Sequence, residues 1–187
     1  MRSLGLAVVL FMVGVLCLPV LVATAAVGAL GAALSDHGGP GGPANQPAGG
    51  PTGAVPGIPG AALADYRAAA AACPGLSWAV LAGIGEVESN HGQSTAPGVR
   101  SGANPYGAEG PMQFLPATFR AYAVPRPDGT PPSPYDMGDA TRAAARMLCA
   151  NGGGSATGLR NAIWAYNHSW QYVDLVLTWA DRYLKSL

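Results

Sequence analysis

The first sixty residues limit what the rest of the chain can become. After Met1, Arg2 and Ser3, residues 4–34 form a run of 31 without a single charge, long enough to span a bilayer. Two readings fit this run. The first is a transmembrane signal anchor, favoured because the run exceeds the usual signal-peptide core of about 7–15 apolar residues. The second is a cleaved secretory signal, with Arg2 as its charged start, an alanine-rich stretch after Pro19 as its closing region, and Ala23-Thr24-Ala25 as the cleavage site. Cys17 follows Leu16 where a lipoprotein signal needs a small residue, which argues against a lipid anchor. Both readings keep Arg2 inside and send everything after residue 34 out of the cytoplasm. Residues 35–60 then contain 9 Gly and 6 Pro among 26. Such a stretch cannot bury enough apolar surface to offset its own ordering, so it reads as a flexible linker spanning roughly 25–30 Å. The folded domain must come from residues 61–187.

That remainder reads as helices joined by loops. Residues 61–72 are alanine-rich and close at Cys73-Pro74-Gly75, a turn signal. Ser77 is suited to cap a helix that begins at Trp78 and runs out near Asn90, His91 and Gly92. Within it Val80, Leu81, Ile84 and Val87 mark one apolar face, and Glu88 falls at its edge, four residues after Ile84. Glu86 lies roughly 200° round the helix, on the strip of Ala79, Ala82 and Gly83, so the two carboxyls belong to different surroundings. Residues 91–110 form a polar, Gly-rich loop of a length usually tied to function. Pro116 is placed to open a short helix, and residues 124–135, with five prolines, read as a surface loop.

A further helix over 139–150 turns Ala140, Ala144, Met147 and Leu148 inward and stops at Asn151 and three glycines. Residues 159–166 read as another. A last helix from about 170 to 185 places Val173, Val176, Leu177, Ala180 and Leu184 inward, and Trp164, Trp170 and Trp179 are core or groove-wall residues. No convincing strand alternation is present. The class is therefore all-α: one globular helical domain behind an apolar N-terminal segment and a linker.

Charge and motif content narrow the chemistry. From residue 61 onward 9 Lys and Arg balance 9 Asp and Glu, which leaves no electrostatic footprint for nucleic acid and favours neutral partners such as glycans or proteins. Cys73 and Cys149 are the only cysteines outside the apolar segment, and in an exported domain they suggest a single disulfide. Closing that loop of about 75 residues would stabilise the fold by a few kcal/mol in the chain-entropy account. His37, His91 and His168 are scattered without metal-ligand spacing, so neither metal nor cofactor is expected. There is no nucleophile elbow, phosphate loop or dinucleotide fingerprint. Carboxylates remain. Glu109 and Asp136 lie in loops and read as solvated or capping groups. Glu88, lodged against apolar neighbours, has the setting that raises a carboxyl's pKa and lets it donate a proton near neutral pH.

Three segments, Val87-Glu88-Ser89-Asn90-His91-Gly92, Gly110-Pro111-Met112-Gln113-Phe114-Leu115-Pro116-Ala117-Thr118 and Ala165-Tyr166-Asn167, together resemble the lytic transglycosylases of the goose-lysozyme-like superfamily, in their soluble and membrane-bound B types. The resemblance covers about residues 73–183. It implies a lysozyme-like helical fold with at most a minimal β element, and it makes Glu88 the single catalytic acid. It also makes Ser89, Met112, Gln113, Phe114, Tyr166 and Asn167 substrate-binding residues. The implied reaction cleaves the β-1,4 bond between N-acetylmuramic acid and N-acetylglucosamine in peptidoglycan without water, leaving a 1,6-anhydro end. One usable carboxylate agrees with such a substrate-assisted route, since ordinary glycosidases need two. Two alternatives stay open: a lysozyme-type hydrolase and a non-catalytic wall-binding module. The expected partners are peptidoglycan strands and, through the N-terminal segment, the membrane. The protein is expected to be a monomer outside the cytoplasm, anchored facing the wall or secreted if the segment is cleaved.

Overall fold

The computed structural model describes residues 53–187. The N-terminal apolar segment and the first part of the linker lie outside the described residues. Six helices follow in order: α1 (Gly60–Ala71), α2 (Trp78–Ser89), α3 (Pro116–Tyr122), α4 (Met137–Ala150), α5 (Leu159–Asn167) and α6 (Trp170–Lys185). No strand occurs among the described residues, where the one β feature is an isolated antiparallel bridge between Glu109 and Phe114. The described part of the chain is all-α. None of its helices is long and apolar enough to cross a membrane.

The packed region starts earlier than composition implied. Val55 and Ile58, inside the stretch assigned to the linker, are buried in the core, and Arg67 Nη2 donates to the Gly53 carbonyl at 3.0 Å. Two apolar side chains among glycines and prolines suffice here because the core offers them a place.

At the centre lies α2. Its first eleven residues contain buried positions on every side, from Ala79 through Gly85, rather than on the single face that its large apolar residues mark out. The reason is composition: alanine and glycine on the remaining positions let neighbouring helices close in all round. A β-carbon at Gly83 would lie 2.5 Å from the Val176 carbonyl oxygen of α6, so the two backbones approach as a larger residue would forbid. Ser77 caps α2, its Oγ accepting from Ala79 N at 3.2 Å. Asp136 and Ser169 cap α4 and α6 in the same way.

In α4, Ala140, Ala144, Met147 and Leu148 are buried, as the spacing requires. In α6 the inward stripe is Tyr172, Val173, Val176, Ala180 and Tyr183. Leu177 is half-buried and Leu184, expected inside, is 47% exposed, because the stripe runs one residue ahead of it and Tyr183 takes the inward place. The tryptophans lie toward the surface: Trp170 is 51% exposed and Trp164 and Trp179 are half-buried.

Two cross-ties hold the periphery. A Cys73–Cys149 disulfide, with Cα atoms 5.9 Å apart across 76 residues of sequence, joins the ends of α1 and α4. The proline-rich loop 124–135 is fastened by Asp139, whose carboxylate accepts from Arg126 Nε at 2.8 Å, from Ser133 N at 2.9 Å and from Arg142. Burial alone would raise the Asp139 pKa, but these donors outweigh it and hold the carboxyl below its ordinary value.

Candidate active site

The site is built where α2 ends. Its last turn is followed by three consecutive residues with positive φ: Asn90 (51°), His91 (55°) and Gly92 (78°). Asn90 N donates to the Glu86 carbonyl and His91 N to the Gly85 carbonyl, each at 2.9 Å. These bonds satisfy carbonyls that a helix end otherwise leaves open. The sharp reversal leaves Glu88 on the last turn, directed at α6.

Glu88 is half-buried, and its Oε1 accepts from the Tyr172 hydroxyl at 2.6 Å. Burial pushes its pKa up from 4.5 to about 7, while the Tyr172 bond opposes the rise. Tyr172 stacks on Tyr166, with ring centroids 6.4 Å apart and planes within 4°. Burial, reinforced by the Glu88 charge, raises both phenols well above their ordinary value, so each remains a hydrogen-bond donor. The Tyr166 hydroxyl donates to the Met112 carbonyl at 2.8 Å, and the Phe114 ring packs against Tyr166 at 5.4 Å.

Residues 109–114 form a tight turn facing this helix pair. Glu109 and Phe114 exchange backbone hydrogen bonds of 2.9 Å, and Gly110 is required because a β-carbon there would collide with the Pro134 carbonyl. Gln113, at φ 48°, donates from Nε2 to the Gly110 carbonyl at 2.8 Å and accepts from Asn104 Nδ2 at 2.9 Å. Ser89 Oγ ties the turn to α2, donating to the Pro111 carbonyl at 2.6 Å and accepting from Gly92 N at 2.7 Å.

This geometry divides the expected site residues. Glu88, Met112, Gln113, Phe114 and Tyr166 are brought together, with Asn167 half-buried beside Tyr166 at the end of α5. Two expected substrate contacts are corrected. Met112 is 0% exposed, so its side chain faces no ligand and it serves through its carbonyl, whereas Phe114, though buried, lines a surface hollow. Ser89 is buried too, its hydroxyl committed to Pro111 and Gly92. Met112 and Ser89 form the frame; Glu88, Gln113, Tyr166 and Asn167 keep access to solvent. Gln113 and Tyr166 also line a hollow of about 150 Å³, together with Phe114, Leu115 and His168; Glu88 is not part of its wall. A larger one of about 220 Å³ lies at the disulfide, between Ala72 and Arg146, and contains none of these residues.

Sequence reasoning missed Tyr172, whose only signal is its place beside Val173 on the inward stripe of α6. It also missed the surroundings of Glu86. On the other side of α2, Glu86 Oε2 accepts from the Tyr183 hydroxyl at 2.9 Å and sits 3.0 Å from His91 Nε2. Tyr172 and Tyr183 are eleven residues apart, which is roughly 16 Å along α6. The two acids therefore reach α6 at opposite ends, with the close contact at Gly83 between them. No group of three or more His, Cys, Asp or Glu side chains converges as a metal site would require among the described residues. Comparison with protein-family models, with curated proteins and with solved structures returns no match.

Proposed function

We propose that this chain is a peptidoglycan lytic transglycosylase with a lysozyme-like helical domain, exported and held at the membrane by its N-terminal segment. The observation that carries the reading is Glu88: a half-buried carboxyl at a helix end with a tyrosine hydroxyl on one oxygen, whose pKa burial raises to about 7, so that a large fraction keeps its proton at neutral pH. A carboxyl in that state can protonate the glycosidic oxygen between N-acetylmuramic acid and N-acetylglucosamine. The C1–oxygen bond then breaks, and the substrate's acetamido group stabilises C1. The sugar's C6 hydroxyl attacks C1, Glu88 takes up its proton, and the acid is restored with a 1,6-anhydro end formed. No water is consumed, so no second carboxylate is needed to activate one. The Tyr172 hydroxyl supports the carboxylate during the interval in which it is charged. Glu86 is engaged with His91 and Tyr183 and is not available for a base role. The disulfide suits a domain working outside the cytoplasm.

Digestion of purified peptidoglycan, with the released fragments weighed, tests the reading. Products lighter by one water than their reducing counterparts are expected. Reducing ends would identify a lysozyme-type hydrolase, and binding without release a wall-binding module; either would overturn the proposal.

A further inference from the structure

The side of α2 away from the Glu88 carboxyl holds a set of polar side chains that the reaction does not use. His91 is 4% exposed. Its Nδ1 lies 3.0 Å from the hydroxyl of Tyr66, a fully buried residue of α1. Its Nε2 lies 3.0 Å from both the Tyr183 hydroxyl of α6 and Glu86 Oε2 of α2. Burial keeps the His91 pKa below its ordinary value although Glu86 pulls the other way, which leaves the ring neutral. One proton arrangement then satisfies every group: Tyr66 donates to Nδ1, Nε2–H donates to Glu86, and Tyr183 donates to Glu86. Asp65 and Arg182 are the other charges that bear on this set, through Tyr66 and Tyr183 respectively.

The backbone is specialised in the same place. A helix commonly ends with one left-handed residue, usually glycine, whereas here Asn90 and His91 both adopt that conformation before Gly92 does. Left-handed conformations at non-glycine residues persist where the surroundings over-determine them. Gly85 also has a reason: a β-carbon there would collide with the Tyr66 hydroxyl on its way to His91.

We propose that His91 is a positioning residue which, clamped to α1, α2 and α6 through Tyr66, Glu86 and Tyr183, fixes the left-handed end of α2 and so the burial and aim of the Glu88 carboxyl. Its consequence for catalysis rests on the glycan-cleaving reading; the clamp itself does not.

The test uses Tyr183→Phe and Tyr66→Phe, which each remove one hydroxyl without opening a cavity, and His91→Leu. Glu88 is titrated by carbon NMR with labelled glutamate, and kcat, KM and Tm are measured alongside. In the variants the Glu88 midpoint is expected to fall from about 7 toward 4.5 as water gains access, and kcat to fall by about ten- to a hundredfold with KM changed by less than about twofold. A lowered Tm with the Glu88 midpoint and kcat retained would overturn the proposal, since the network would then only hold the fold. If the wild-type protein releases no fragments, the glycan-cleaving reading fails, and the titration alone decides the clamp: a lowered midpoint sustains it and an unchanged one overturns it. Should His91→Leu not fold, the two tyrosine variants carry the same measurements.

Discussion

Glu86 and Glu88 stand two residues apart on α2 and meet α6 in opposite surroundings. Glu86 has a polar set around it, with the Tyr183 hydroxyl and the His91 ring both within 3.0 Å. Glu88 has a single side-chain donor, Tyr172, whose ring stacks on Tyr166. A carboxyl with two partners is fixed in place as a structural group. One with a single partner and little water has its pKa raised, because that one hydrogen bond does not offset the cost of burying its charge. The comparison shows how a helix buried on all sides can carry two acids and assign them different work through what each meets on the facing helix.

The largest effect expected from breaking this contrast is on activity. Glu88→Gln should lower fragment release from peptidoglycan by about 10²–10⁴-fold, the range for loss of a general acid, and the release assay checks it. The corresponding Glu86→Gln change should cost less, about tenfold and below the hundredfold attached to misplacement at a distance.

The contrast also predicts two dependences on pH. The Glu88 folded-state pKa lies above its unfolded value of 4.5, at about 7. Its favourable contribution to stability is therefore complete below pH 4.5 and is lost as pH rises through about 7. Glu88→Gln should accordingly raise stability at pH 8 by about 2 kcal/mol, discounted for the solvent on its open side, and leave it nearly unchanged at pH 4; denaturant unfolding at the two pH values measures this. Activity should decline over the same range as the acid loses its proton, and a pH–rate profile reads the midpoint. The smallest effect is expected from Tyr172→Phe. Removing a bond that favours the carboxylate should move that midpoint upward, in the direction opposite to the shift expected for Tyr183→Phe.

Much of the framework is legible in the sequence because it is set locally. Ser77 caps α2, Pro116 opens α3 and α6 runs from Trp170 to Lys185. Each depends on residues within a turn of the boundary. The separation of Glu86 from Glu88 is equally legible, since helical geometry alone puts them on different sides. What each carboxyl meets is not, because Tyr172 and Tyr183 are brought to α2 from 84 and 97 residues away in the chain. Alanine and glycine on α2 carry no periodic signal, so burial on all sides is invisible until α6 is seen approaching Gly83. The Gly-Pro-Met-Gln segment gave a spacing without saying which atoms face outward, and the backbone turn at Gly110 and Gln113 directs Met112 and Phe114 into the core. Val55 and Ile58 were hidden by the composition around them.

The most direct measurement of this account is the titration of the Glu88 carboxyl in the wild-type protein, followed by carbon NMR with Glu88→Gln to assign its signal. A midpoint near 7 is the predicted result. A midpoint near 4.5, the ordinary value for a glutamate, would leave Glu88 ionised at neutral pH and contradict its role as the proton donor.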